Sequence, residues 1–182
     1  SKLISKANPF VFEAHSTDYQ PKGKLKEMVE DHFAILKVGP ALTFAMREAI
    51  FALAYIEEEI IPKDDPNRSE IFNLIEAAMK MNPIYWQTYY SGSQQELAIA
   101  KKFSYLDRIR YYWNDEIIQN SLTKLFRNLT INRIPESLLR QFFSHEYRMN
   151  QEKIKIPTPR ELIELKIMDV LEDYRKACSL CE

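Results

Sequence analysis

The chain has 182 residues, of which 46% are apolar and 28% are charged, and its formal net charge is −1. These fractions are ordinary for a soluble globular protein, and the balanced charge provides no field to attract nucleic acid or anionic lipid. Only three glycines are present. That scarcity argues against an all-β fold with tight hairpins, and their spacing excludes a glycine-rich phosphate loop.

The apolar segments and the cysteines favour a cytoplasmic protein. The longest strongly apolar stretch, Ala49–Tyr55, is too short to cross a bilayer, and the first six residues lack the apolar region of a secretory signal. Cys178 and Cys181 are predicted to be free cytosolic thiols, because a single pair cannot make a four-cysteine zinc site. We therefore predict no membrane contact.

Two short strands on either side of a helix open the predicted structure. Residues 9–16 and 34–39 are short runs rich in β-branched and aromatic side chains, which predicts strands. Between them, residues 24–33 repeat apolar side chains at helical spacing, which predicts a helix whose buried stripe includes His32. The spacing from His15 to Gly39 suits one strand–helix–strand repeat of a parallel sheet.

Helices are predicted for the rest of the chain, and no strand is expected after Pro62. The first of these helices is apolar on almost every face of its first half, which indicates burial on several sides. Residues Ser93, Ser104 and Thr158 each precede an acidic residue by three positions, an arrangement typical of helix starts. The predicted helical segments are residues 41–61, 71–79, 117–129 and 159–174.

These elements predict an α/β fold that is incomplete. Two parallel strands do not form a stable sheet alone, because parallel sheets are covered on both faces. A complete eight-stranded α/β barrel takes about 250 residues. We therefore predict that residues 1–62 are the last strand–helix units of a TIM-type barrel whose amino-terminal half is missing. Residues 63–182 are predicted to form a mainly α-helical carboxy-terminal extension.

Polar residues follow both predicted strands, at the edge where parallel α/β folds gather reactive groups. Glu13 and His15 alternate onto one side of the first strand. They either bind a divalent metal or act as an acid/base pair, or they lie in a solvated loop in which the histidine is simply hydrogen-bonded. The other polar positions, which we predict to contact a substrate, are Ser16, Asp18, Lys37 and Gly39.

Lys37 lies in an otherwise apolar strand, where an unpaired ammonium would be costly. It therefore pairs with a carboxylate, contacts a polar substrate group, or acts as a Schiff-base lysine. The helix that begins after Gly39 offers free backbone N–H groups to a phosphate. The tyrosines and tryptophans within residues 85–90 and 111–113 either pack against each other or stack on sugars or bases.

Several unusual stretches of this sequence resemble one family. Phe12–Gln20 and Ala34–Ala45 are similar to the Z-type (GatZ/KbaZ-like) subunit of D-tagatose-1,6-bisphosphate aldolase. The likeness runs from Pro9 to Ala177, with further matches at Tyr85–Gln87, Ser104–Tyr105, Asp107–Trp113 and Pro157–Leu162. The family is also labelled tagatose 6-phosphate kinase. The sequence contains no nucleotide-binding motif, so a kinase is not expected.

The resemblance implies a barrel similar to that of class II, metal-dependent aldolases. In that wider group a histidine after one strand binds zinc, so His15, with Glu13 beside it, is expected to hold zinc or another divalent metal. Lys37 and Gly39 correspond to a stretch that helps to hold the sugar phosphate. Gly39 replaces the asparagine usual there, which removes a side chain that contacts substrate.

The same resemblance implies the role of the protein. The Z-type chain is a non-catalytic partner that stabilises and activates the catalytic aldolase subunit in sugar catabolism of the galactitol and N-acetylgalactosamine type. The expected partners are therefore the catalytic subunit, within an oligomer, and a sugar-phosphate ligand. Alternatively, some relatives look like metal-dependent ketose-phosphate 4-epimerases, so the protein would itself be an epimerase or aldolase.

Overall fold

A computed structural model describes residues 11–149 and 157–178, which contain two strands and eight α-helices. The strands are Phe12–Ala14 (β1) and Phe33–Leu36 (β2). Two short 3₁₀ turns, Pro83–Tyr85 and Arg108–Tyr111, lie between the later helices. The α-helices are Lys22–Glu30 (α1), Pro40–Ile60 (α2), Ile71–Met81 (α3), Gln94–Phe103 (α4), Glu116–Ile131 (α5), Glu136–Phe142 (α6), Ser144–Met149 (α7) and Pro159–Ala177 (α8).

β1 and β2 pair in parallel, and α1 connects them. Glu13 lies opposite Ile35 and Ala14 lies opposite Leu36, with an irregularity in the pairing just before Glu13. The predicted strand–helix–strand repeat is therefore confirmed, although both strands are shorter than the apolar runs that predicted them. Within the described residues no strand follows β2, as the sequence indicated.

His32 is exposed, so its predicted place on the buried stripe of α1 is wrong. α1 ends at Glu30, and His32 adopts a left-handed conformation with φ 70°. Its N–H donates to the carbonyl oxygen of Val29 at 3.0 Å. The chain must turn from α1 into β2 at this point, and a left-handed residue is the usual way to close a helix. The turn removes His32 from the helical face.

The hydrophobic core is built around α2. Its first half buries Ala45, Arg47 and Ile50, which lie on different sides of the helix, and this confirms the prediction that the helix is covered on several sides. α2 packs against α8, α5, α6 and α3, and α8 also packs against α1. α8 therefore joins the strand–helix–strand repeat to the helices that follow it.

Two of the three predicted helix starts are confirmed. Ser93 before α4 and Thr158 before α8 each form a reciprocal capping box with a glutamate. Ser104 instead ends α4, and its Oγ accepts the N–H of Leu106 at 3.1 Å, so no α-helix begins there. The left-handed residue Asp107 precedes a 3₁₀ turn, which the capping pattern alone does not distinguish from a helix start.

Two other predictions concern the membrane and the cysteines. None of the helices in residues 11–149 and 157–178 is long and apolar enough to span a membrane. Cys178 carries a free thiol, as predicted. Cys181 lies outside the described residues, so the prediction for its thiol is not tested here.

Candidate functional site

Glu13, His15 and Lys37 form one cluster at the carboxyl ends of β1 and β2. The Lys37 Nζ donates to the Glu13 Oε1 at 2.8 Å and lies 3.3 Å from the His15 Nε2. The His15 Nε2 is also 2.7 Å from the same carboxylate oxygen. We call these three residues the strand-end cluster. The sequence paired Glu13 with His15 and put Lys37 at the same edge of the sheet, and the structure brings all three together.

The parallel pairing of the strands explains why the cluster forms. Alternation along β1 directs Glu13 and His15 to the same side. The Lys37 N–H donates to the Ala14 carbonyl oxygen at 2.9 Å, which continues the pairing just beyond β2. The Thr17 hydroxyl donates to the Lys37 carbonyl oxygen at 3.0 Å, which ties the loop after β1 to the residue after β2. These backbone contacts place the lysine side chain across from the first strand's polar residues.

The strand-end cluster is solvent-accessible and its charges compensate each other. The side chains of Glu13, His15 and Lys37 are 41%, 64% and 46% exposed. The hydrogen bond from Lys37, and then that from His15, holds the pKa of the Glu13 carboxyl below its ordinary value. Glu13 is therefore an anion that two neighbours stabilise, and Lys37 is the ammonium that faces it. This matches the structural-pairing alternative for Lys37.

The strand-end cluster by itself does not fit a zinc centre. A catalytic zinc takes three protein ligands, whereas the described residues contain no group of three or more histidine, cysteine, aspartate or glutamate side chains placed to hold a metal. Glu13 and His15 are the two potential ligands in the cluster. The Lys37 ammonium lies within hydrogen-bonding distance of both, in the position that another cation would need.

Asp18 closes the amino terminus of α2. Its Oδ1 accepts the backbone N–H of Gly39 at 2.8 Å and that of Ala41 at 2.9 Å. Gly39 has no side chain that could serve as a cap, so the aspartate of another loop takes that role. The N–H groups that the sequence offered to a phosphate thus already have an anionic partner.

Ser16 and Gly39, the remaining predicted substrate contacts, are both exposed. Ser16 has a φ of 55° and turns the chain away from β1 directly after His15. A Cβ atom at Gly39 would lie 3.6 Å from the nearest Asp18 carboxylate oxygen, which is ordinary van der Waals contact. The space around Gly39 would therefore admit a Cβ atom, and the substrate-binding roles of Ser16, Asp18, Lys37 and Gly39 stay predictions.

Contacts between residues far apart in the sequence support the loop after β1. The Thr17 hydroxyl lies 2.9 Å from the hydroxyl of Tyr174 in α8, which is 157 positions away in the chain. The Tyr19 hydroxyl donates to the Tyr105 carbonyl oxygen at 2.8 Å. No local pattern marks such contacts, because they depend on how α8 and the segment after α4 pack onto the loop.

The aromatic residues at positions 85–90 and 111–113 pack against each other. The rings of Tyr85 and Tyr111 stack with their centroids 5.0 Å apart, and Tyr112 meets Tyr85 edge-on at 5.5 Å. The Trp86 Nε1 donates to the Met79 carbonyl oxygen at 2.7 Å. Trp113 is buried in the core. The packing alternative is therefore confirmed for Tyr85, Trp86, Tyr112 and Trp113, whereas Tyr89 is 56% exposed.

Comparison with known proteins assigns the chain to a family. Residues 1–179 match the family model described as D-tagatose-1,6-bisphosphate aldolase subunit GatZ/KbaZ-like. The crystal structure of a probable tagatose 6 phosphate kinase from Sinorhizobium meliloti 1021 is similar, with a TM-score of 0.89 and 39% sequence identity. The match covers 97% of this chain but 45% of that chain, so this chain spans less than half the length of its relative. The chain belongs to the GatZ/KbaZ-like family of D-tagatose-1,6-bisphosphate aldolase subunits, as the resemblance of its strand-end sequences predicted.

Proposed function

We propose that the protein containing this chain is an accessory, non-catalytic subunit of a class II tagatose-bisphosphate aldolase. The family match supports the aldolase subunit. The observation that carries the accessory role is the direct contact of Glu13 with His15, with the Lys37 ammonium within hydrogen-bonding distance of both. The groups expected to hold a metal thus bind each other. We place the protein in the cytoplasm, in sugar catabolism of the galactitol and N-acetylgalactosamine type.

We further propose that residues 1–62 contribute closing strand–helix units to a TIM-type barrel, and that residues 63–182 form its helical extension. Support comes from the parallel pair itself, whose apolar side chains are left uncovered. Val11, Phe12 and Ile35 are 71%, 44% and 45% exposed. Parallel sheets are normally covered on both faces, so further strands of the protein would bury these side chains.

The accessory role is consistent with what the strand-end residues do within this chain. Lys37 neutralises Glu13, and Asp18 satisfies the backbone at the start of α2. Neither arrangement presents an unpaired group to a reacting sugar phosphate. The protein would act by binding the catalytic subunit within an oligomer, where it prolongs or raises the activity of that subunit.

A reconstitution experiment tests this proposal. The purified protein is mixed with a catalytic class II tagatose-bisphosphate aldolase subunit, and cleavage of tagatose 1,6-bisphosphate is followed over time. We expect a higher initial rate or a longer half-life of activity than for the catalytic subunit alone. Equal rates and equal half-lives would contradict an accessory role.

A second candidate function is a metal-dependent ketose-phosphate epimerase or aldolase. One observation favours it: Glu13, His15 and Lys37 share the edge where α/β barrels carry out their chemistry. Lys37 is partly exposed, and its ammonium would have to move away from Glu13 and His15 before these two side chains could bind a divalent metal.

Metal content and epimerisation of ketose phosphates in the His15→Ala variant discriminate between the two functions. The accessory role predicts that the variant matches the wild type in both measurements. His145→Ala is the matched control, because His145 is also exposed and contacts one carboxylate, Asp169, at 3.4 Å. Loss of bound metal and epimerisation in His15→Ala, with both retained in the control, would favour the second function.

A further inference from the structure

A cleft that does not include the strand-end cluster lies between α1, α2 and α8. Its volume is about 340 Å³, which is within the range of pockets that bind small molecules. Leu25, Ala45 and Val170 supply apolar walls from the three helices. Tyr19, from the loop after β1, and Tyr105, from the segment after α4, complete the wall on one side.

Three aromatic rings form that side of the cleft. The ring of Tyr19 meets Phe44 edge-on at 5.7 Å and Tyr105 at 4.7 Å. Phe44 and Tyr105 stack with their centroids 5.2 Å apart. Tyr105 is 66% exposed, so much of its surface remains open to a ligand. The electron-rich faces of aromatic rings attract cations.

The charged groups of the cleft are mainly acidic. Glu48 and Asp173 both line it. Asp173 forms an ion pair with Lys22 at 2.8 Å, whereas Glu48 forms no ion pair with any residue in the described part of the chain. The Arg47 guanidinium beside Phe44 is paired with the buried carboxylate of Asp107 at 2.8 Å. Among the described residues that line the cleft, Glu48 is therefore the carboxylate without an ion-pair partner, and its side chain is exposed.

Two of the three tyrosines that line the cleft, Tyr19 and Tyr174, have raised phenol pKa values. Burial, followed by the carboxylates of Asp107 and Asp18, raises the pKa of the Tyr19 phenol, and Glu48 contributes in the same direction. Burial and Asp18 likewise raise the pKa of the Tyr174 phenol. Burial is the main cause of both shifts and the nearby carboxylates add to it, so the cleft does not stabilise a further negative charge.

We propose that this cleft binds a small organic ammonium ion, with its ammonium group at Glu48 and its alkyl part against Phe44 and Val170. The Glu48 side chain is exposed, so an ammonium group can reach its carboxylate from solvent and pair with it, whereas a neutral ligand gains no such ion pair. A bare metal ion does not suit the site, because no group of three or more metal-binding side chains occurs among the described residues. The alkyl part of the ligand is expected because burying it against the apolar walls of the cleft is favourable.

Titration with butylammonium chloride, followed by NMR of the backbone amides of Ala41, Ala45 and Val170, tests this proposal. We expect saturable shifts of these amides. Butanol is the neutral control ligand, since it has the same alkyl chain without the charge, and it should produce no saturable shift at the same concentrations. Equal affinity for butylammonium and butanol, or no saturation by either, would overturn the proposal.

Two variants locate the ammonium group. Glu48→Gln should weaken butylammonium binding by about fivefold, as expected for the loss of one surface carboxylate. Glu59→Gln is the matched control, because Glu59 is an exposed residue of the same helix that does not line the cleft, and it should leave the affinity unchanged. An unchanged affinity in Glu48→Gln would overturn the assignment of the ammonium group to this carboxylate.

A third ligand distinguishes a free amine from a basic side chain of another protein. Nα-acetyl-lysine amide presents the same alkylammonium group on a peptide backbone. We expect it to bind more weakly than butylammonium, because ordering its longer and more flexible structure costs more conformational entropy on binding. Equal or tighter binding of the lysine derivative would assign the cleft to a partner's side chain and overturn the assignment to a free amine.

Discussion

At the residue scale, the charge state of Glu13 depends on Lys37. The ammonium and His15 lower the pKa of the Glu13 carboxyl, so their pairing contributes to stability above the ordinary pKa of a glutamate. That contribution is lost as the pH falls through the lowered pKa of the folded protein. We expect Lys37→Met to raise the pKa of Glu13 towards its ordinary value, measured by NMR of the carboxyl carbon.

A control lysine separates this local effect from a change in total charge. Lys24→Met removes an exposed ammonium that pairs with Glu27 in α1, and it should leave the titration midpoint of Glu13 unchanged. If Lys37→Met and Lys24→Met shift that midpoint equally, the 2.8 Å contact between Lys37 and Glu13 does not set the charge of the strand-end cluster.

The ion pair between Arg47 and Asp107 makes a second prediction at this scale. The two side chains are 2% and 0% exposed and lie 2.8 Å apart. Asp107→Asn keeps the size and tolerates the left-handed φ of 45°, but it leaves a buried guanidinium without its counterion. We expect the free energy of unfolding, measured in urea, to fall by about 3–5 kcal/mol.

A double variant tests the cause of that loss. Arg47→Met combined with Asp107→Asn removes both charges, so it should be less destabilised than Asp107→Asn alone. If the double variant is the less stable of the two, the loss in the single variant comes from packing rather than from the unpaired guanidinium.

Single residues differ in how far the sequence predicts their place. Alternation along a strand is enough to put Glu13 and His15 on one side. The cap that Asp18 provides to α2 was not predictable, because it depends on the path of the loop after β1 in space. His32 was misplaced because helical spacing continues past the residue where the chain has to turn into β2.

At the element scale, α8 packs against both α1 and α2, and Thr158 caps its amino terminus. The Thr158 Oγ1 accepts the Glu161 N–H at 3.2 Å, and a Glu161 carboxylate oxygen accepts the Thr158 N–H at 2.6 Å. We expect Thr158→Ala to lower the free energy of unfolding by about 1 kcal/mol, measured by thermal or urea unfolding.

The conservative variant is the control for this prediction. Thr158→Ser keeps the hydroxyl acceptor and should remain close to the wild type in stability. Equal destabilisation by alanine and serine would show that the methyl group of Thr158, and not its hydroxyl, stabilises the start of α8.

Helices were easier to predict than the contacts between them. Apolar spacing and a proline near the start predict both α2 and α8, and a capping box also predicts the start of α8. The contact of Tyr174 with Thr17 joins α8 to the loop after β1 across 157 positions. Local periodicity contains no information about such a contact. The sequence therefore predicted the helices and strands, but not the contact by which α8 supports the strand ends.

At the scale of the whole molecule, the parallel pair β1–β2 presents a polar cluster at one edge and uncovered apolar side chains beside it. The proposed barrel would cover the apolar side chains, and the proposed accessory role would leave the cluster without a catalytic task. The sequence suggested the barrel through its strand–helix pattern and the accessory role through its family resemblance. The contacts of Lys37 with Glu13 and His15, which support the proposed accessory role, needed the structure.

The central claim is tested most directly by the cleavage of tagatose 1,6-bisphosphate in a mixture of the catalytic subunit with the His15→Ala variant of this protein. Complex formation is checked in the same samples by size-exclusion chromatography. An accessory role predicts that the variant raises the rate or half-life of cleavage as much as the wild type does. A variant that still forms the complex but no longer stimulates cleavage would contradict it, because His15 would then take part in the reaction.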